Sequence, residues 1–354
     1  MSAMIRLGII GTGAMARTHA ERFSAHRGVL LAACCDNDAG KARDFARCWS
    51  IPRAYADYRE MLGIERLDAV SVVTVDAMHA AISLAAIARG LAVLCEKPLA
   101  TSLADARAMR DAAARAGATT MVNFSYRGSG GAQGAASFIA HGGIGRVMHV
   151  EASYLQSWLA QDLWGDWRTD PAFTWRLSRR HGSGGALGDV GCHLYDLTAF
   201  LCGDISEISC RLATFDKGVK GNRLGPFVLD ANDSFVSRVS FAGGGIGAIH
   251  ATRWATGQIN SLRVRAYGDE GAVEIDLDRG PDLYRVIRGK KAARTAEWKE
   301  VRCRKAPSMY ERFIGCIRTG EKDACDFANG AKVQAYLDAS FRSDAKGRPV
   351  KVTA

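Results

Sequence analysis

Short apolar runs alternate with amphipathic stretches through the first third of the chain. Residues 5–10, 29–35, 69–75, 92–95 and 119–123 are almost continuously hydrophobic, as strands covered on both faces must be, and helical patterns fill the gaps between them. This alternation predicts an α/β unit with a doubly wound parallel sheet. After residue 123 the texture changes. A glycine-rich segment, residues 127–135 (RGSGGAQGA), leads into a helix predicted to end near His141, and 147–154 then alternates polar and apolar positions. Residues 208–215, 234–241, 245–252, 262–267 and 272–277 read as consecutive strands joined by hairpin turns, which predicts a mostly antiparallel sheet with a few helices on one face. The closing stretch, 309–342, is helical in pattern. At 354 residues the chain exceeds what one core usually serves, so two domains are expected, 1–123 and 124–354.

Composition narrows the function classes. The 48% hydrophobic and 24% charged fractions are those of an ordinary globular protein. No apolar run reaches the roughly 18 residues needed to span a bilayer and the N-terminus lacks the order of a signal peptide, so a cytoplasmic protein without a membrane partner is expected. The ten cysteines show no CxxC pair or regular spacing. They read as buried free thiols rather than as disulfides or a zinc site, and no metal is expected. The net charge of +10 is scattered, densest over residues 285–305, and no nucleic-acid-binding motif accompanies it. A basic surface that attracts an anionic dinucleotide or a phosphorylated substrate explains the charge equally well, so no nucleic-acid partner is expected.

The first apolar run leads directly into Gly11-Thr12-Gly13-Ala14-Met15-Ala16, which opens a helical segment. In a Rossmann-type unit the first glycine permits the tight turn, the second lets the backbone approach a pyrophosphate, and the small third residue packs helix on strand. The phosphates then sit at the helix N-terminus, where free N–H groups and the helix dipole favour an anion. Asp36 follows Ala16 by 20 residues at the end of the second run, where a carboxylate accepts from the ribose hydroxyls. Asp36 followed by Asn37 and Asp38 favours NAD over NADP.

Two further clusters carry chemistry. Glu96-Lys97-Pro98 ends the run at 92–95, and in an open parallel sheet such strand ends face the ligand crevice. The plain alternative for Lys97 is a surface charge. The second cluster is Gly184-Gly185-Ala186-Leu187-Gly188-Asp189-Val190-Gly191-Cys192-His193-Leu194-Tyr195-Asp196. Asp189 and His193 are four apart, so on a helix they share a face; a carboxylate beside an imidazole orients the ring and stabilises its charged form. The alternative is a capping Asp with a packed His. Trp158, Trp164, Trp167 and Trp175 suit either stacking on a sugar ring or core packing. Tyr154 and Gln156 are candidate hydroxyl contacts.

Together, the N-terminal GxGxxA, the EKP and the GGxLxDxGxHxxD resemble the glucose-fructose oxidoreductase and inositol 2-dehydrogenase family (Gfo/Idh/MocA). The resemblance extends through the segment Thr74-Val75-Asp76-Ala77-Met78-His79, where relatives usually carry Pro and Asn in place of Asp76 and Ala77. It implies a large open sheet in the second domain that serves a homodimer or homotetramer. It implies a catalytic trio of Lys97, Asp189 and His193 across the domain cleft. The same residues, with Tyr154 and Gln156, are the substrate candidates. The cofactor candidates are Gly11, Thr12, Gly13, Ala14, Met15, Asp36 and Asn37, then Thr74, Asp76, His79, Glu96, Lys97 and Asn123, with Trp175 and Arg176 in the second domain. The expected activity is hydride transfer between NAD and a carbon of a sugar, sugar derivative or inositol. A dinucleotide-binding regulator of the same fold that has lost catalysis is the alternative.

Overall fold

The computed structural model describes residues 4–162 and 164–353. Its contacts divide the chain into two compact units, residues 1–124 with 307–334, and residues 125–306 with 335–354. Residues 307–334 thus group with the first unit, where a single cut near residue 123 assigns them to the second domain.

Unit 1 holds six parallel strands, β1 (Ile5–Ile10), β2 (Val29–Cys35), β3 (Ala54–Tyr55), β4 (Ala69–Val72), β5 (Ala92–Cys95) and β6 (Thr120–Val122), in the order β3-β2-β1-β4-β5-β6. Helices α1 (Ala14–Ser24), α2 (Ala39–Cys48), α3 (Tyr58–Ile64), α4 (His79–Ile87) and α5 (Leu103–Ala116) connect them. The strand order reverses between β1 and β4, the point at which such sheets bind ligands beyond their strand ends. β4 and β5 are buried at every position, which explains their unbroken hydrophobicity. β4 stops at Val72 rather than 75 because the chain closes there on the glycine turn: a Cβ on Gly11 would lie 2.4 Å from the Val73 carbonyl oxygen. The short β3 and α3 carry too little apolar pattern to show in the sequence.

Unit 2 begins with α6 (Gly130–Ala140) and continues through β7 (Val147–Gln156), the single turn α7 (Pro171–Thr174) and α8 (Cys192–Cys202). β8 (Ile205–Ala213), the small hairpin β9 (Arg223–Leu224) and β10 (Phe227–Val228), β11 (Ser234–Phe241), β12 (Ile246–Thr252), β13 (Asn260–Gly268), β14 (Gly271–Asp276) and β15 (Leu283–Arg288) follow. The unit is completed by α9 (Gly289–Thr295), β16 (Lys299–Arg302) and a late strand; between them the chain returns to unit 1 as α10 (Met309–Thr319). The long α11 (Phe327–Lys346) starts among unit 1 residues and ends among those of unit 2, before β17 (Val350–Lys351). Nine strands form one sheet in the order β16-β15-β14-β13-β7-β12-β11-β8-β17, antiparallel throughout except for the β12–β7 pair.

One face of this sheet is covered by α6 and α8. Tyr195 of α8 shows the fit: its ring stacks on Phe235 of β11 and its hydroxyl lies 2.8 Å from Ser237 Oγ and 2.7 Å from Ser340 Oγ. On the opposite face Val236 and Ile246 are 60% and 52% exposed. From Gly130 onward the glycine-rich segment lies inside α6 rather than before it. A Cβ on Gly131 would meet the Leu283 carbonyl oxygen at 2.3 Å, so the glycines serve a close approach of helix to strand, not a turn. The basic stretch 285–305 contains the helix α9, which its scattered apolar residues do not announce.

Candidate active site

The dinucleotide candidates cluster at the carboxyl ends of β1 and β2. Gly11 has φ 95° and closes the turn, Thr12 is buried, and Ala16 is fully buried on the strand side of α1. Gly13 is the N-cap of α1; no side chain caps the helix, and a Cβ there would meet nothing within 4 Å. Free helix N–H groups facing open space fit a pyrophosphate. Asp36 Oδ2 accepts from Thr12 N at 2.9 Å and Thr12 Oγ1 at 2.8 Å, and Oδ1 accepts from Asp38 N at 3.0 Å. The carboxylate that the sequence reading gave to the ribose therefore also ties the glycine turn to β2, and a carboxylate has acceptor capacity for both. Met15 and Asn37 are exposed beside it.

Beneath the β5 end lies a buried polar network. His19 of α1 is 0% exposed; its Nε2 donates to Glu96 Oε1 at 2.8 Å and its Nδ1 lies 2.7 Å from Ser71 Oγ of β4. Asn123 Nδ2 donates to the same Glu96 oxygen at 2.6 Å, and Lys97 N donates to Oε2 at 3.2 Å. Burial works against the charge on Glu96, but the His19 and Asn123 hydrogen bonds and the nearby Lys97 hold its pKa down at about 2. The group thus joins α1, β4, β5 and β6 directly below half-buried Lys97, whose peptide bond to Pro98 is cis. His79, also 0% exposed, spans the next two loops: Nδ1 lies 2.9 Å from the Pro98 carbonyl oxygen and Nε2 3.2 Å from that of Thr74. Two carbonyls can only accept, so the doubly protonated ring alone satisfies both. Burial opposes that charge, while Cys95, Asp76 and the Pro98 carbonyl raise the pKa of the ring above its ordinary value.

In unit 2 the Asp189–His193 segment is not a regular helix. Leu187–Gly191 forms a π-helical turn, a form frequent at functional sites, and Cys192 starts α8. Four-residue spacing on an α-helix therefore does not describe this pair. Asp189 Oδ2 accepts from Arg253 Nη2 at 2.9 Å and lies 3.9 Å from Arg176 Nε. His193 is 7% exposed, with the ring of Tyr126 edge-on at 4.7 Å and that of Tyr154 at 6.4 Å. The two tyrosine hydroxyls are hydrogen-bonded to each other, and burial with the Tyr126 hydroxyl pushes the Tyr154 phenol well above its usual range. Gln156 Nε2 donates to Asn260 Oδ1 at 2.8 Å, and Trp158 Nε1 donates to Gln156 Oε1 at 3.1 Å. Asp196, the last acid of the motif, pairs with buried Arg127 at the side of α8.

Residues 5–124 match the family described as an oxidoreductase family with an NAD-binding Rossmann fold, and residues 132–274 match the GFO/IDH/MocA C-terminal domain. The chain belongs to the Gfo/Idh/MocA oxidoreductase family. It is 27% identical over 313 residues to levoglucosan dehydrogenase of Pseudarthrobacter phenanthrenivorans, covering 82% of this chain and 78% of that protein. With D-apiose dehydrogenase of Paraburkholderia graminis it shares 25% identity over 97% of this chain and 88% of the relative. Among solved structures, levoglucosan dehydrogenase in complex with NADH and levoglucosan superposes with a TM-score of 0.89 at 25% identity, over 99% of this chain and all of the other.

Within this Gfo/Idh/MocA chain the candidates fall into two sets. Gly11 to Met15, Asp36, Asn37, Thr74, Asp76, His79, Glu96, Lys97 and Asn123 lie in unit 1; Tyr154, Gln156, Trp175, Arg176, Asp189 and His193 lie in unit 2. Trp175 carries the Arg176 guanidinium over its ring at 4.8 Å. Trp158 and Trp167 are packed with Leu159, Leu177 and Leu229 in an apolar cluster, so of the two readings of these tryptophans theirs is core packing. His19, Tyr126 and Arg253 escaped the sequence reading. For Arg253 a signal existed, because β12 buries Gly247, Ile249 and Ala251 and the same alternation turns Arg253 inward.

Proposed function

We propose that this protein is an NAD-dependent dehydrogenase that oxidises a CH–OH group of a sugar, sugar derivative or inositol, or reduces the corresponding carbonyl. The observation that carries the reading is the end-to-end likeness to a levoglucosan dehydrogenase solved with NADH and levoglucosan. Gly11, Thr12, Gly13, Ala14 and Met15 would hold the pyrophosphate of the dinucleotide, and Asp36 with Asn37 its adenosine ribose. Thr74, Asp76, His79, Glu96, Lys97 and Asn123 would serve the nicotinamide half, with Trp175 and Arg176 as further contacts. When bound, the nicotinamide supplies the hydride acceptor, or in reduction the donor.

The remaining steps belong to side chains. As hydride leaves the carbinol carbon, His193 accepts the hydroxyl proton, so the C–O single bond becomes a carbonyl; in reduction His193 returns the proton. The Lys97 ammonium stabilises the negative charge developing on that oxygen. Asp189 provides a fixed negative charge, while Tyr154 and Gln156 present hydrogen-bonding groups to substrate hydroxyls. The exposed face of the nine-stranded sheet serves assembly into a dimer or tetramer, which light scattering measures. The activity is tested by following NAD and NADP reduction at 340 nm with a panel of monosaccharides, anhydrosugars beginning with levoglucosan, sugar acids and inositols. Turnover of at least one cyclic polyol is expected; tight NADH binding without turnover of any would favour the regulator.

A further inference from the structure

Among the described residues of unit 2, three ion pairs have a buried cation, and one of them differs in kind. Lys217–Asp233 is sealed on both sides, at 0% and 0% side-chain exposure, and Arg127–Asp196 nearly so, at 5% and 2%. In Arg253–Asp189 the cation is 0% exposed and the anion 26%. A pair that serves only the core hides both charges; this one buries the guanidinium and presents the carboxylate outward.

Arg253 is also fixed more firmly than a surface pairing requires. Its backbone N donates to the Asp233 carbonyl at 3.0 Å and its carbonyl accepts from Leu159 N at 3.2 Å, which locks the residue as it leaves β12. Its guanidinium lies over the Trp158 ring at 4.9 Å, and Trp158 belongs to the apolar cluster with Trp167 and Leu177. Nη1 donates to the Arg176 carbonyl at 3.2 Å while Nη2 holds Asp189 at 2.9 Å. The Arg253 Nε is buried and has no acceptor among the described residues, so the protein contacts of the guanidinium are made through Nη1 and Nη2.

We propose that Arg253 is a positioning residue of the reaction centre: it fixes the orientation and charge of Asp189 and, through the Arg176 carbonyl, the turn that carries Trp175 and Arg176. The proposal rests on Asp189 belonging to the centre assigned above. The charged and titratable groups facing the pair are Arg176 from the 175–177 turn, Tyr154 from β7, whose phenol feels the Asp189 charge, Asp233, whose charge acts on Arg253, and His193 one turn along. Among them Arg253 is a fully buried cation in hydrogen-bond contact with the carboxylate, so its removal takes a stabilising positive charge away from Asp189.

The test compares Arg253→Met, Arg253→Lys, Asp189→Asn and the double variant R253M/D189N as full-length protein with NADH. Carbon-13 NMR of aspartate-labelled protein follows the carboxyl resonance that Asp189→Asn removes. In Arg253→Met that resonance is expected to titrate about one pH unit or more above wild type, since a contacting cation is lost. Turnover of the best panel sugar is expected to fall about 10²-fold, the scale of a misplaced catalytic group, with NADH affinity within twofold. Arg253→Lys keeps the charge but not the two-pronged grip, and should recover the titration while regaining only part of kcat. The double variant should be no slower than the worse single. An unchanged titration and kcat in Arg253→Met overturns the proposal. If Arg253→Met does not fold, a wild-type kcat in Arg253→Lys does the same, and failure of both to fold confines Arg253 to the core and also overturns it. A fully active Asp189→Asn instead removes Asp189 from the centre, a failure of the functional reading that the NMR titration separates from the pairing itself.

Discussion

At Asp36 and Lys97 the proposed role falls on a residue that local hydrogen bonds already fix. Asp36 is committed to Thr12 through two hydrogen bonds, so its charge is held beside the position where an adenosine ribose binds in this fold. A 2′-phosphate there would meet a fixed negative charge, and the nearest following base is Lys41, which already lies 4.0 Å from Asp38. We expect kcat/KM with NAD to exceed that with NADP by about tenfold or more, the size of one unscreened kilocalorie-scale repulsion; steady-state rates with each cofactor decide, and equal efficiencies would reject this assignment. Lys97 stands above the His19–Glu96–Asn123 network, which fixes its backbone whatever its own side chain does. Lys97→Ala should therefore leave NADH affinity nearly unchanged and lower turnover by about 10² or more. Near-normal turnover would take Lys97 out of the mechanism. Both residues stand out as candidates in the sequence because their motifs are local. The pairings of Arg253 and His19 were not legible there, since their partners lie 64 and 77 residues away and only the fold brings them together, although the alternation of β12 marks Arg253 as buried.

At the scale of elements, the glycines of the β1–α1 turn separate folding from binding. Gly13 faces open space, so Gly13→Ala should keep the unfolding midpoint within about 1 °C while weakening NADH binding at least tenfold, because the methyl would fill the place proposed for the pyrophosphate. Gly11→Ala places a Cβ 2.4 Å from the Val73 carbonyl at φ 95° and should destabilise unit 1 by about 1–3 kcal/mol; differential scanning fluorimetry with and without NADH distinguishes the two. The network joining α1 to β4, β5 and β6 has a pH signature as well. The folded pKa of Glu96, about 2, lies below its ordinary 4.5, so the stabilisation it brings is complete above pH 4.5 and is lost as the pH falls towards 2. The amount is on the order of 3 kcal/mol. Urea midpoints of unit 1 should fall between pH 5 and 3 in wild type, and His19→Leu, which leaves Glu96 buried without its main partner, should be less stable at pH 7 and lose much of that slope. A wild-type slope in His19→Leu would place the acid sensitivity in other carboxylates. The longer elements could be read from periodicity, but the short β3, α3 and α9, the glycines inside α6 and the π-helical turn at Asp189 could not, because short elements carry little pattern and close approach and hydrogen-bond register depend on neighbours distant in sequence.

The whole molecule does not divide where its motifs suggest. Every residue of the glycine turn, the EKP and the parallel sheet lies before residue 125, which invites the view that a fragment ending there is a complete cofactor-binding unit. The packing contradicts it. Val122 N donates to the Cys325 carbonyl at 2.8 Å, Phe327 N to Thr120 Oγ1 at 3.3 Å, and Asn123 Nδ2 to the Tyr310 hydroxyl at 3.3 Å. Near its C-terminal end α1 packs against α10, where Phe23 meets Tyr310 and Phe313 at ring distances of 5.3 and 6.4 Å. A chain cut after residue 306 exposes that aromatic face and leaves the edge strand β6 without its partner segment. We expect fragments 1–124 and 1–306 to bind NADH at least a hundredfold more weakly than the full chain, although each retains all the unit 1 residues assigned to the cofactor. A fragment in which 1–124 is linked directly to 307–334 restores the α10 and α11 contacts and should recover NADH affinity to within about tenfold, with a cooperative thermal transition. Fluorescence titration and circular dichroism of the three fragments measure this. Tight NADH binding by 1–124 alone would mean that the returning segment only decorates a self-sufficient unit, and the grouping of 307–334 with it would have no energetic weight.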